Sequence, residues 1–281
     1  MKKWNKVIRF SLLGAAILGL AACGKGTDSG VGSSDKNELE VLKIGATSTP
    51  HAEILEQVKT DLKEKGYDLE ITVFDDYVLP NLAVEDGSLD ANFFQHQPYL
   101  EKFNEENNTN LVSVAKVHFE PLGIYPGKTK DLTEIAEGAQ ISIPNDSTNG
   151  GRALLLLQAA GLIELKEGVG ISATVNDITK NDYKIEIVEL EAAQLPRSVG
   201  DVDFSVINAN YALEGGFNVE KDALKAEDKS SDAAETFGNV IAVRSGEENE
   251  SKITALVEAL KTDKISKFIN DHYEGSVISL F

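Results

Sequence analysis

Three aromatics and a histidine crowd one short stretch, Asp90-Ala91-Asn92-Phe93-Phe94-Gln95-His96-Gln97-Pro98-Tyr99-Leu100, around a predicted strand end and turn. Taken singly, each is most simply a core or turn residue. The cluster reads differently, because consecutive residues of a strand point to opposite faces. Of Phe93 and Phe94, one therefore enters the core, and the other can line a cleft with His96 and Tyr99. Asp75-Asp76-Tyr77 and Lys116-Val117-His118-Phe119-Glu120-Pro121 end two further predicted strands and so share that carboxyl edge. Walls of aromatic rings and imidazole suit a small, partly apolar ligand, and aromatic edges hold a thioether well.

Ile143-Pro144-Asn145-Asp146-Ser147-Thr148-Asn149-Gly150-Gly151-Arg152 offers a charged counterpart. It follows a strand, carries cap-forming residues and opens a predicted helix, whose N-terminus favours an anion. Arg152 has the wrong sign for the first turn of a helix. A surface ion pair would explain it, but so would bidentate capture of a carboxylate in an open cleft, and that reading is preferred. Phe204-Ser205-Val206-Ile207-Asn208-Ala209-Asn210-Tyr211 places amide side chains just past another strand, where a carbonyl oxygen can accept from an ammonium group. Catalysis has no comparable signature: there is no G-x-S-x-G elbow and no H-E-x-x-H pair. A metal receptor could use His51, His96, His118 and a carboxylate. These histidines sit among aromatics, however, and the His/Asp-rich stretch of a metal scavenger is missing.

Alternating elements position these groups. An alternating strand pattern starts at Leu39-Glu40-Val41-Leu42-Lys43-Ile44, and Ile54, Leu55, Val58 and Leu62 mark a helix over 51–65. Strands are predicted near 69–74, 89–94 and 111–118, with helices near 80–86 and 97–106 between them. A second series has strands at 139–143, 184–188, 204–207 and 240–243. Its helices fall near 148–160, 251–261 and 263–272. Such alternation implies an α/β protein with mostly parallel sheets. Pro121, Gly123, Pro126 and Gly127 punctuate the chain between the two series, which favours two lobes with the ligand between them.

The N-terminus reads as an export segment. Lys2, Lys3, Lys6 and Arg9 precede a short apolar run, Phe10 through Ala22, that ends in Leu20-Ala21-Ala22-Cys23. The run is too short for an ordinary spanning helix. Cys23 is the only cysteine, so no disulfide forms within the chain. Its setting resembles the bacterial lipoprotein cleavage box. That resemblance implies a signal peptide over 1–22, acylation (including palmitate) at Cys23, a flexible Gly/Ser-rich tether over 23–38 and a binding domain over 39–281. Four of the 27 basic residues and none of the 46 acidic ones fall in 1–22, leaving 23 against 46, or −23, for the rest. Nucleic acid and anionic lipid headgroups would repel such a chain.

Beyond the N-terminus the chain resembles the methionine-binding lipoproteins that feed ABC importers. The motifs GATSTPHAEIL, DANFFQHQPYL, KVHFEPLGIYP, IPNDSTNGGRALLLLQ, ELEAAQLPRS and VINANYAL carry the resemblance from about Val41 to the C-terminus. It implies a two-lobed periplasmic-type binding protein, monomeric and non-enzymatic, with no cofactor or metal. Held by its lipid at the outer face of the cell membrane, it would pass methionine to a permease and its ATPase. Tyr77, Phe94, His96, Tyr99 and His118 would form the side-chain pocket. Arg152 would bind the ligand carboxylate, Asn149 would support that end, and Asn210 would accept from the ammonium. Asn208 lies close by and is set aside. Gly150 and Ala209 depart from residues common in the family. The alternatives are another amino acid, a short peptide or a divalent metal; D-methionine and related compounds also stay open as ligands.

Overall fold

A computed structural model describes residues 39–229 and 232–281. The segments read as signal and tether, with Cys23, lie outside the described residues.

Strands β1 to β4 are Glu40–Ala46, Tyr67–Val73, Ala91–His96 and Leu111–Phe119. β5 to β8 are Gly123–Pro126, Gln140–Pro144, Glu164–Leu165 and Ile178–Lys180. β9 to β13 are Glu186–Leu190, Phe204–Ile207, Lys225–Ala226, Gly238–Arg244 and Ile278–Ser279. They form one sheet ordered β13-β4-β12-β3-β1-β2, a second ordered β11-β5-β10-β6-β9, and a small β7-β8 pair. The expected parallel core is present in each large sheet: β2-β1-β3 in the first and β9-β6-β10 in the second. Antiparallel strands extend one side of each core.

Each sheet is the centre of a lobe with its own core. Leu42, Ile44, Phe93, Val117, Ile241 and Leu256 belong to the first core, and Ile124, Ile141, Leu154, Leu157, Phe204 and Val206 to the second. The apolar spacing expected over 51–65 is realised, since Ile54, Leu55, Val58 and Leu62 are all fully buried. The helix itself is divided into Glu53–Glu56 and Lys59–Glu64.

Among the described residues the chain passes from the first lobe to the second through 120–122 and returns between β11 and β12, and β12 pairs with both β3 and β4. The C-terminal strand and helices therefore complete the first lobe, although their order in sequence groups them with the second. No local pattern could reveal this, because pairing of β12 with β3 joins residues far apart in the chain. The two crossings lie side by side: Glu227 donates its N–H to the Leu122 carbonyl at 3.0 Å, and Leu122 donates to the Glu227 carboxylate at 2.8 Å.

The helix Ser147–Ala159 carries Asn149 and Arg152, and its seat is set by Gly151. A Cβ there would lie 2.0 Å from the Ile171 carbonyl oxygen, so only glycine lets the helix approach the Gly170–Ser172 turn.

Phe204 is fully buried in β10, at the middle of the second sheet. Phe204→Ala should lower the unfolding free energy by about 3–5 kcal/mol. Denaturant titration checks this, and a loss below about 1 kcal/mol would show that the lobe does not depend on this ring.

Candidate functional site

Between the lobes, Tyr77, Phe94, His96, Tyr99, Glu120, Asn149, Arg152, Asn208, Asn210 and Asn239, with Gln95 and Ala209, line a cavity with about 330 Å³ of space not filled by protein atoms. Seven of the eight ligand-contacting residues expected from the sequence meet there. The eighth does not: His118 is fully buried behind Glu120, off the cavity surface.

β3 makes the split anticipated for the two phenylalanines. Phe93 enters the first core, and Phe94 packs with Tyr77, Tyr99 and Phe103. Its ring centroid lies 5.7 Å from that of Tyr77 and 6.0 Å from that of Tyr99. β3 ends at His96, whose side chain caps the helix Gln97–Asn107 by accepting from the Tyr99 N–H at 3.2 Å.

One carboxylate fixes the hydrogen-bond directions of the polar wall. Asp146 accepts from Asn149 Nδ2 at 3.1 and 3.0 Å, and a carboxylate only accepts. Asn149 Oδ1 must therefore face the other way, where it accepts from His96 Nε2 at 3.0 Å and Asn208 Nδ2 at 2.9 Å. His96 thus carries its proton on Nε2, which agrees with Nδ1 acting as the cap acceptor. Asn208, having turned its amide nitrogen to Asn149, is left with Oδ1 buried and unpartnered. Asn210 is oriented the opposite way. Its Oδ1 accepts from the Tyr77 hydroxyl at 2.6 Å, so Nδ2 is the atom without a partner. The unpartnered acceptor thus lies on Asn208, whereas the sequence reading expected it on Asn210. An unmet buried polar group costs about 1–3 kcal/mol, and two of opposite sense here mark places for a ligand's donor and acceptor.

Arg152 is not free in an open cleft. It is buried, and its Nε and Nη2 bond the Glu227 carboxylate at 2.7 and 2.5 Å. Nη2 also donates to the Glu120 carbonyl at 2.8 Å, and the guanidinium lies 4.3 Å from the Phe237 ring centroid. Arg152 falls in the second helical turn, and the helix end is already capped by Asp146, which accepts from the Asn149 N–H at 2.9 Å. The positive group facing the cavity there is the guanidinium rather than the helix end. Sequence reasoning also missed Glu120, Glu227 and Asn239. Glu120 stood in a quoted motif beside His118, whereas nothing local distinguishes Glu227 or Asn239.

Behind the cavity, His51 Nε2 faces two oxygens, Asn239 Oδ1 at 3.0 Å and Glu120 Oε1 at 3.2 Å, while Nδ1 accepts from the Thr47 hydroxyl at 2.7 Å. His118 Nε2 donates to the same Glu120 oxygen at 2.7 Å. These three side chains place donor atoms within 4.8 Å of one another and by type could hold a metal. Both Nε2 atoms already point protons at oxygen, so the cluster reads as a hydrogen-bonded carboxylate.

Burial holds all three imidazoles neutral. It pushes His96 down to about 3 with help from Arg152, His118 down to about 3, and His51 down to about 4. In the unfolded chain they protonate near 6.5. Their stabilising contribution is complete above that value and is lost as pH falls toward 4 and 3. Burial raises the Glu120 carboxyl, which acts in the opposite sense but as one group against three. The unfolding free energy should therefore drop between pH 7 and pH 5 in denaturant titrations. Constant stability across that range would contradict buried neutral imidazoles.

The sequence profile of the NlpA lipoproteins matches residues 42–281. The D-methionine-binding lipoprotein MetQ of Escherichia coli (strain K12) is 39% identical over 271 residues, 96% of each chain. The methionine-binding lipoprotein MetQ of Bacillus subtilis (strain 168) is 42% identical over 265 residues, 92% of this chain and 93% of its own. Among solved structures, a nutrient binding protein from Burkholderia cenocepacia bound to methionine superposes with a TM-score of 0.81. It is 40% identical, over 85% of this chain and all of that one. With two lobes, a polar and aromatic cleft between them, and similarity along nearly the whole described length, the chain belongs to the NlpA lipoprotein family.

Proposed function

We propose that the protein is an extracytoplasmic solute receptor, anchored through acylated Cys23, that captures methionine between its lobes. It would deliver the amino acid to the permease and ATPase of an ABC importer. One observation carries the ligand class: an unpartnered acceptor, Asn208 Oδ1, and an unpartnered donor, Asn210 Nδ2, line an aromatic-walled cavity that also holds Arg152. A zwitterion meets all three. Its ammonium donates to Asn208 Oδ1, and its carboxylate takes Asn210 Nδ2 and Arg152. The thioether then runs along Tyr77, Phe94 and Tyr99, where sulfur–aromatic contacts contribute about 0.3–1.5 kcal/mol. The methionine-binding names of the relatives and the methionine in the Burkholderia protein support the same ligand. Another amino acid or a short peptide is the competing reading, and mass spectrometry of copurifying small molecules separates them.

Calorimetry tests the polar assignments. Asn208→Ala should weaken methionine binding about tenfold or more, the cost of one hydrogen bond to a charged group. An unchanged affinity would remove Asn208 from the ammonium site. In the same experiment EDTA should leave the wild-type affinity unchanged. Loss of binding with EDTA and recovery with zinc would favour a metal at His51, His118 and Glu120.

Anchoring has its own readout. More than one acyl chain is needed for a stable hold, and among the described residues no helix is long and apolar enough to cross a membrane. Cys23→Ala should move the protein from the membrane to the soluble fraction. Retention of the variant after a high-salt wash would contradict the anchor.

A further inference from the structure

Arg152 is the single cation among the residues lining the cavity, and it is already matched by a carboxylate of the chain itself. Glu227 engages Nε and Nη2 together, and the Leu122 N–H holds the same carboxylate. The Glu227 side chain is 10% exposed, so water screens the pair little. Nη2 is further committed to the Glu120 carbonyl, whereas Nη1 has no hydrogen-bond partner among the described residues.

We propose that Glu227 is a specificity-determining residue of this pocket, a built-in counter-ion that fixes Arg152 edge-on and cancels its charge. A ligand carboxylate then meets only the Nη1 edge of a neutralised pair, and it binds well only when the same molecule brings an ammonium. The inference rests on the reading of the cavity as an amino-acid site and goes further, because it names what turns simple anions away. Displacing Glu227 from Arg152 is the less favourable route, since it would strand a buried carboxylate with one backbone N–H. His96 cannot supply the missing positive charge: burial and the nearby guanidinium keep its imidazole neutral, down to about 3. The position of Glu227 adds a consequence. It lies on the second crossing, bonded to the first at Leu122, so the group that neutralises Arg152 belongs to the connection between the lobes.

Two methionine analogues of opposite charge provide the test. 4-(Methylthio)butanoate keeps the carboxylate and thioether and lacks the ammonium; methioninamide keeps the ammonium and lacks the carboxylate charge. Calorimetry compares them with methionine on the full binding domain, wild type and Glu227→Gln. Removing one charge a few ångströms away should tighten the butanoate about tenfold and weaken the amide about tenfold. Methionine, with no net charge, should change less than either. Glu227→Ala should give the same opposed shifts through a hydrated guanidinium, and it serves if the glutamine variant does not fold. Glu227→Asp, which keeps the charge, should leave the ratio of the two analogues near that of wild type. Structural damage alone would weaken both analogues together. If methionine binds but the analogues move in the same direction, or neither moves, the role of Glu227 is overturned and the amino-acid site stands. If wild type binds no methionine, the reading of the site falls and the inference falls with it.

Discussion

The polar lining of the cleft depends on Asp146, because a carboxylate that can only accept leaves Asn149 a single orientation. From that one constraint the amide of Asn208, the tautomer of His96 and the cap on the Tyr99 helix all follow. Asn149 Oδ1 also joins the lobes, since it accepts from His96 of the first and from Asn208 of the second. Such a network in a poorly hydrated cleft is stiff when complete and costly when broken. Its two open valences, Asn208 Oδ1 and Asn210 Nδ2, are accordingly informative, because Asp146, Asn149 and His96 beside them are satisfied.

Charge is handled with the same economy. A guanidinium and two carboxylates meet at a cleft that excludes most water, where unpaired ions would be severely penalised. Arg152 is balanced by Glu227 and shielded by the Phe237 ring, and Glu120 is held by two imidazoles. Both carboxylates lie on the crossings between lobes. The connections between the lobes are thus the ones that carry the counter-charges, which ties lobe geometry to the electrostatics of the pocket.

Much of this site was legible residue by residue. The alternation of Phe93 and Phe94 followed from strand geometry alone, and Tyr77, His96 and Tyr99 were found at carboxyl edges of predicted strands. His118 was misplaced because its neighbours in sequence share an edge, while which face of β4 meets the cavity depends on pairing with β12 and β13. Whether Asn208 or Asn210 offers a free amide oxygen turns on which oxygen is already taken. That is settled by Tyr77 and Asn149, each far away in the chain.

The sequence by itself determined the α/β alternation, the division near 120–130, the apolar faces and most of the residue types at the site. These depend on periodicity and on chemistry that each segment carries locally. Only the tertiary structure decided that β12 returns to the first lobe, that Glu227 reaches Arg152, and which donor and acceptor remain open to a ligand. Each of these is a contact between segments remote in sequence, and hydrogen-bond satisfaction is a property of the whole assembled set of partners rather than of any one residue.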